Sequence, residues 1–532
     1  MFHRSLAHVP HVLAIDLGTG GPKVALVDLG GAVLAAAFEP VEMVLGPGGA
    51  AEQRPQDWWS AIVACTRRVA AQQPGELEGV AAIAVTGQWA GTVAVDAAGE
   101  PLAPALTWLD SRGAEQARRI AGAGAGGVRV EGYAPQRIAR WIRLTGGAPS
   151  LSGRDPFAHL QFLRDQRPEV WAAAATFLEP VDWLNLKLTG VRSASYDTAT
   201  LHWVTDTRDP LNVRYDSRLL KLAGLDAARL PELRPSASVV GPVSAVAAAE
   251  LGVGAQAVVV TATPDTMSAA VGSGAVGEHA AHLYVGTSSW LSCHVARKKT
   301  DPFHAIAALP SALPGRYLVS CEQQTAGASL AMVRDRWLAG TPAAEGGYAA
   351  LTDLAAQAPP GSGGVLFCPW LNGERTPVDD HLVRGGWLGL SLDTTQAQLV
   401  RSVLEGVALN ARWMQQPVER FCGRRLDPIA FIGGGALSPL WAQTFADVLQ
   451  REIRVVADPV HANVRGAAFL AGIALGELTA QDVPARVPVA ETYVPDARRA
   501  ALYDGLFAEF VKIYKATKPI YARLNRRARS SP

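Results

Sequence analysis

What this chain has little of narrows its class before any motif is read. Five cysteines, Cys65, Cys293, Cys321, Cys368 and Cys422, are scattered over 532 residues. They form no CxxC pair and no regular spacing, which argues against a disulfide scaffold or a cysteine-built zinc site. A reducing, cytoplasmic setting is therefore expected. No apolar run approaches bilayer-spanning length, and Met1 to Pro10 has no signal-peptide core, so no membrane association is expected. Neither sign of charge prevails, since 49 Lys and Arg against 48 Asp and Glu give a formal charge of +1. That balance removes the electrostatic basis for a nucleic-acid or anionic-membrane partner. About ten residues precede the first candidate strand, too few for a helix-turn-helix.

What remains is globular, at 49% hydrophobic and 18% charged residues. A chain of this length exceeds one core and is expected to divide into about two or three domains. Strands alternate with helices in the first quarter, which predicts an α/β layered domain. Val33 to Phe38 and Val80 to Val85 read as strands, and Asp57 reads as the N-cap of a helix. Ser111 to Gly241 reads as mostly helix and loop. Gly252 to Val260 returns to strand before Thr263-Pro264-Asp265, where a helix is expected to open. The second half repeats the plan, with helices expected near Thr325 to Leu338, over Gln396 to Met414, after Ser438-Pro439, and over Asp496 to Lys515. The arginines beyond Pro519 (Arg523, Arg526, Arg527 and Arg529) are expected to form a frayed, solvated tail.

One local pattern occurs in both halves. Val12 to Asp16 is an apolar run closed by an acid, then Leu17-Gly18-Thr19-Gly20-Gly21-Pro22 turns into the run Lys23 to Val27. His282 to Val285 leads through Gly286-Thr287-Ser288-Ser289 into Trp290 to Val295. Each copy predicts a strand, a tight turn and a returning strand. Small turn residues leave backbone N–H groups and hydroxyls open to an anion. Two facing copies would hold a polyphosphate between domains, which points to a kinase. The turn is not a Walker loop, because no Gly-Lys-Ser/Thr follows, and it does not fit GxGxxG. A single copy would equally suit an ordinary hairpin with an Asx turn at Asp16.

Other residues carry chemistry in the same reading. Asp265 is the candidate general base, although Asp beside Pro at a helix start also serves as a cap. Gly433-Gly434-Gly435-Ala436 after a strand permits close approach of a ribose or a flat group, and a plain strand-to-helix turn uses the same residues. Trp108-Leu109-Asp110-Ser111-Arg112 offers an acceptor and a donor suited to polyol hydroxyls, or a surface ion pair.

In order along the chain stand Ile15-Asp16-Leu17-Gly18-Thr19, Gly87-Gln88, Trp108 to Arg112, Thr263-Pro264-Asp265, Gly286-Thr287-Ser288, Gly373-Glu374-Arg375-Thr376-Pro377, Leu404-Glu405-Gly406-Val407 and Gly433-Gly434-Gly435-Ala436. This ordered set resembles the FGGY carbohydrate kinases, most closely the xylulokinase branch, over nearly the whole chain. The resemblance implies an α/β fold of two actin-like, ribonuclease-H-like domains (the sugar kinase, Hsp70 and actin type) flanking a cleft. It implies a sugar-side domain at 11–277, a nucleotide-side domain at 278–482, and a C-terminal helix with a basic tail at 483–532. By carry-over, Asp16 serves Mg²⁺, and Thr19, Gly20, Lys23, Gly286 and Thr287 serve the phosphates of ATP. Gly434, Gly435 and Ala436 serve the nucleoside, Asp265 is the catalytic base, and Gln88, Trp89, Asp110 and Arg112 grip the sugar.

The implied reaction is ATP-dependent phosphorylation of a ketopentose, D-xylulose first. Other FGGY substrates (ribulose, an alditol, glycerol or gluconate) remain open, as does a homodimer. Non-catalytic alternatives are a sugar-binding regulator or a nucleotide-driven scaffold of the same fold. Three departures bear on the reading. Trp89-Ala90-Gly91 stands where Met-His-Gly is usual, and Thr263-Pro264 where glycines precede the aspartate. Asn463 to Ala468 replaces an Ala-Leu-Gly-Ala-Ala run, which implies altered nucleotide contacts.

Overall fold

The computed structural model describes residues 10–122 and 127–527. The expectations for the segment before Pro10 and for Arg529 lie outside the described residues.

Each half of the chain builds a β-sheet. The first contains β1 (His11–Gly18), β2 (Gly21–Asp28), β3 (Val33–Phe38), β4 (Ala82–Gly87), β5 (Val239–Pro242) and β6 (Val258–Val260), in the spatial order β3-β2-β1-β4-β6-β5. Thr263–Pro264 adds a short parallel piece beside β4. The second contains β7 (Ala281–Val285), β8 (Ser289–Val295), β9 (Tyr317–Ser320), β10 (Ile429–Ile432), β11 (Ile453–Val456) and β12 (Val489–Tyr493), in the order β9-β8-β7-β10-β11-β12. Both sheets join an antiparallel hairpin to parallel neighbours and close with an antiparallel edge. They differ at that edge, since β5 precedes β6 along the chain whereas β12 follows β11.

The strands are apolar on both faces because both faces are covered. Leu13, Ile15 and Leu17 enter an outer core with Trp58 and Trp183. Val12 and Ala14, pointing the other way, enter a core between the sheets with Met267, Ile432 and Phe469. Leu283 and Val285 enter the second domain's outer core with Phe431 and Phe445. A side chain such as Phe469, fully buried there, contributes roughly 1.5–3 kcal/mol.

The helices that matter for the cleft are α1 (Pro55–Gln72), α2 (Asp265–Gly272), α3 (Gln396–Cys422), α4 (Pro439–Leu449), α5 (Ala462–Ala474) and α6 (Ala500–Arg527). Helices α2 and α5 touch between the two sheets through glycines. A Cβ on Gly272 would collide with the Ala462 carbonyl, and one on Gly466 with the Ser268 carbonyl. Arg465 reinforces the contact, donating from Nε to Gly272 O at 3.0 Å and from Nη1 to Ala457 O at 2.8 Å.

Several boundaries differ from the sequence expectation, each for a packing or backbone reason. Helix α1 opens at Pro55, with Arg54 rather than Asp57 in the cap position, because proline presets the first helical φ. Of Gly252 to Val260, only Val258–Val260 is a strand. Helix α3 continues past Met414 through Pro417 to Cys422, and Pro417, Val418 and Phe421 are buried. Helix α6 likewise passes Pro519 and reaches Arg527, so the expected frayed tail is helix up to that residue. Tyr521 packs on the second domain's core and Asn525 Nδ2 donates to Leu382 O at 2.7 Å. In both helices tertiary contacts offset the hydrogen bond that proline removes.

Candidate active site

The site is assembled from the ends of β1, β4 and β7, the start of α2 and the start of α5. Asp16 ends the central part of β1 and pairs across the hairpin with Lys23. Asn463, in the first turn of α5, donates from Nδ2 to Asp16 Oδ2 at 3.3 Å. Burial raises the proton affinity of Asp16, and the Lys23 charge and the Asn463 bond oppose that rise in part. Lys23 itself reaches over to the second half, donating from Nζ to Val460 O at 2.8 Å.

Asp265 lies at the start of α2, half-buried, with Oδ1 accepting from Thr266 N at 2.7 Å. Its pKa is pushed up to about 8, first by burial, then by the negative charges of Asp16 and Glu322. The stiff Thr263-Pro264 lead-in is clamped from behind. Thr263 Oγ1 donates to buried Asp197 at 2.5 Å, and Ser268 Oγ lies 2.7 Å from Thr86 Oγ1 on β4.

The two Gly-Thr turns stand at equivalent places, each after the central strand of its sheet. In the first, Thr19 and Gly20 link β1 to β2, and Gly21 is required because a Cβ would collide with Glu39 O. Thr19 Oγ1 accepts from Trp108 Nε1 at 2.9 Å, which ties this turn to the Trp108 to Arg112 segment. In the second, Gly286 N donates to Ser288 O at 2.9 Å, while Gly286 O and Thr287 O accept from Gly327 N at 2.8 Å and Ala326 N at 2.9 Å. Thr287 is exposed. Gly434, Gly435 and Ala436 form a single helical turn after β10. Gly433 before it has φ 87°, and Gly435 abuts Val285 so closely that a Cβ would lie 2.6 Å from its side chain.

On the opposite wall, Gln88 Nε2 donates to Gln53 Oε1 at 3.1 Å, and Gln53 Nε2 donates to Thr19 O at 2.9 Å. Gln88 Oε1 is buried without a partner. Trp89 is half-buried, and its Nε1 donates to Thr198 O at 3.2 Å. The next residue, Ala90, has φ 66°, and Gly91 N donates to buried Glu179 Oε2 at 2.9 Å. Asp110 and Arg112 are brought together, but with each other. Asp110 is 0% exposed, and its carboxylate accepts from Ala51 N, Arg112 N and the Arg112 guanidinium. Arg112 also bonds Glu52 and lies over the Phe162 ring.

Sequence reading did not single out Asn463 as a neighbour of Asp16, or Glu322, Gln53 and Tyr284 as cleft residues. The signal for Asn463 was its departure from the usual run. In the structure Asn463 bonds the carboxylate of Asp16.

Among the described residues no group of three or more His, Cys, Asp or Glu gathers in metal-binding geometry. Asp16 and Asp265 do face each other closely enough for one charge to raise the other's pKa. Two carboxylates suit Mg²⁺, which keeps waters and takes further oxygens from phosphates. The donor set therefore fits that ion.

A cleft between two sheets of the ribonuclease-H-like, actin-like plan, with a Gly-Thr turn on either wall, defines a two-domain phosphotransferase. The FGGY carbohydrate kinase N-terminal domain matches residues 11–272 and the FGGY C-terminal domain residues 281–475. The chain belongs to the FGGY family of carbohydrate kinases and is a sugar kinase. It is 28% identical to a xylulose kinase of Escherichia coli (strain K12), over 96% of this chain and 100% of that protein. It is also 29% identical to an erythritol kinase of Brucella abortus (96% and 97%) and 23% identical to a gluconokinase of Bacillus subtilis (97% and 96%). Its fold matches a xylulose kinase structure from Lactobacillus acidophilus with a TM-score of 0.84, at 22% identity, over 97% of this chain and 100% of that one. No helix among the described residues is long and apolar enough to cross a membrane.

Proposed function

We propose that this chain transfers the γ-phosphate of ATP to a hydroxyl of a neutral ketopentose, with D-xylulose the first candidate. The observation that carries the reading is Asp265, a half-buried carboxylate with raised proton affinity, beside Asp16 and between two anion-holding turns. Its Oδ atoms accept the proton of the sugar hydroxyl as that oxygen attacks the γ-phosphorus. The new O–P bond forms as the β–γ bridging P–O bond breaks, and ADP leaves. Thr19 and Gly20, with Gly286 and Thr287, hold the phosphates, Lys23 lends positive charge beside Asp16, and Gly434, Gly435 and Ala436 hold the nucleoside. Mg²⁺ held at Asp16 neutralises charge on the β- and γ-phosphates when bound. Closure of the sugar-side domain (11–277) on the nucleotide-side domain (278–482) excludes water.

Gln88, whose buried Oε1 lacks a donor, and the Trp89 ring face the sugar. Asp110 and Arg112 shape that wall from behind. The cations nearby are engaged, Arg112 by Asp110 and Glu52, and Lys23 by the Val460 carbonyl. That disfavours a carboxylate-bearing acceptor such as gluconate and supports a ketose or an alditol. The five cysteines are free thiols, which supports a cytoplasmic enzyme.

The test is ADP release with Mg-ATP over D-xylulose, ribulose, alditols, glycerol and gluconate, with a no-sugar control. A signal led by D-xylulose is expected. Preference for an alditol moves the substrate and keeps the chemistry. No sugar-dependent release from folded protein would overturn the kinase reading in favour of a sugar-binding regulator.

A further inference from the structure

The two hairpins correspond residue by residue along the first strand and into the turn, after which the second hairpin returns one residue sooner. Asp16-Leu17-Gly18-Thr19 in the first stands where Tyr284-Val285-Gly286-Thr287 stands in the second. Across the strands, Asp16 pairs with Lys23 and Tyr284 pairs with Trp290. Alternation along β7 sends Leu283 and Val285 into the outer core, so Tyr284 lies on the face turned toward the first domain.

The ring of Tyr284 is fixed by stacking on Trp290, with centroids 3.8 Å apart and planes within 10°. It spans the two nucleotide-side loops. Its hydroxyl lies where a Cβ on Gly286 would fall, and its Cε2 edge is 3.0 Å from the Cβ position of Gly433. The residue is half-buried, and among the described residues its hydroxyl has no hydrogen-bond partner. Burial and the negative charges of Asp265 and Asp16 hold the phenol proton far above its ordinary range, so the group is a donor.

We propose that Tyr284 is a further phosphoryl-binding residue, whose hydroxyl donates to a phosphate oxygen of the bound triphosphate from the side opposite Asp16. This rests on the kinase reading above. A neutral donor at this point holds the phosphate without adding a cation that would pair with Asp16 or Asp265. Nearby, exposed Thr287 adds a hydroxyl, and Gly433 keeps the ring's edge free of a side chain.

Tyr284→Phe keeps the ring and its stack and removes one oxygen. The expected result is a melting temperature close to wild type and an affinity for Mg-AMPPNP about ten-fold weaker. Affinity for adenosine stays within about two-fold. A merely structural tyrosine would weaken adenosine and Mg-AMPPNP alike, or neither, and either outcome overturns the proposal. Should the variant fail to fold, 3-fluorotyrosine at position 284 preserves the ring and the hydroxyl. Its fluorine resonance is expected to shift on Mg-AMPPNP and not on adenosine, and an unmoved resonance would sink the idea. Both measurements read binding alone. They decide Tyr284 even if the sugar panel shows no turnover, which is the outcome that would remove the kinase reading.

Discussion

The first hairpin sets a carboxylate and an ammonium side by side at the mouth of its turn, Asp16 against Lys23. At the same register the second sets two stacked rings, Tyr284 against Trp290. The sheets around them share one plan except at one edge, so the backbone repeats while the chemistry does not. The difference assigns labour. Charge that can take a metal or a proton lies on the first domain, with Asp16 and Asp265. The second domain offers N–H groups, hydroxyls and glycines, the groups that the proposed function assigns to phosphates and nucleoside. A cleft with carboxylates on both walls would repel a triphosphate more strongly, and one with neither would lack a base.

The largest effect should come from removing the charge that marks the first side. Asp265→Asn is expected to fold and to lower kcat about 10²–10⁴-fold, the usual range for a lost general base. Wild-type turnover in that variant would refute the assignment. The same substitution carries a second signature. The folded, ligand-free protein keeps the Asp265 proton up to about pH 8, whereas the unfolded chain releases it near 3.8. The unfolded state therefore binds fewer protons over that window, and stability falls as pH rises through it. Asp265→Asn should melt higher than wild type at pH 8, as thermal unfolding without ligands will show. By contrast Thr287→Val, on the neutral side, removes one hydrogen bond of roughly 0.5–1.5 kcal/mol. It should lower kcat/KM for ATP only about three- to ten-fold. A loss at Thr287 as large as that at Asp265 would break the division between the walls.

The contact that relates the two repeats is itself breakable. Gly272 and Gly466 let α2 and α5 approach at backbone distance. Gly466→Ala places a methyl against the Ser268 carbonyl, one residue from Met267 and three from Asp265. The expected cost is about 1–3 kcal/mol, read as a lower denaturant midpoint. An unchanged midpoint would mean that the helices separate freely and that the domains are not braced there.

Much of this arrangement was legible in the sequence because it is local. Hairpins with small turn residues, the run into Asp265 and the glycines after β10 are set by neighbouring residues, and Val33–Phe38 falls at the bounds read from the chain. What escaped depends on residues far apart in sequence. Helices α3 and α6 pass Pro417 and Pro519 because of what they pack against. Asp110 and Arg112, read as sugar-side groups or as an ion pair, also bond Glu52, a partner that their spacing does not reveal. Asn463 lies 447 positions from Asp16 and cannot be matched to it by spacing. Tyr284 was within reach, since aligning the two hairpins places it opposite Asp16, but an apolar strand with one tyrosine carries no local sign of function.

The finest test of the comparison is how far Glu322, a charge of the second domain, reaches into the first. Asp265 is faced by Asp16 on β1, which raises its pKa, and by Glu322 beyond β9, which raises it less. Lys23 pairs with Asp16 and tempers that carboxylate rather than Asp265 directly. A base must be deprotonated to act, so kcat/KM for the sugar should rise with pH to a plateau in wild type. Glu322→Gln removes one negative charge and frees Arg375, which now donates to Glu322 Oε2 at 2.7 Å. Both changes favour the Asp265 carboxylate, so the rising limb should move to lower pH by roughly half a unit. A pH–rate profile of the two proteins at fixed Mg-ATP decides it. A limb that stays in place would confine the titration of the base to the first domain, and one that moves to higher pH would contradict the electrostatic account of Asp265.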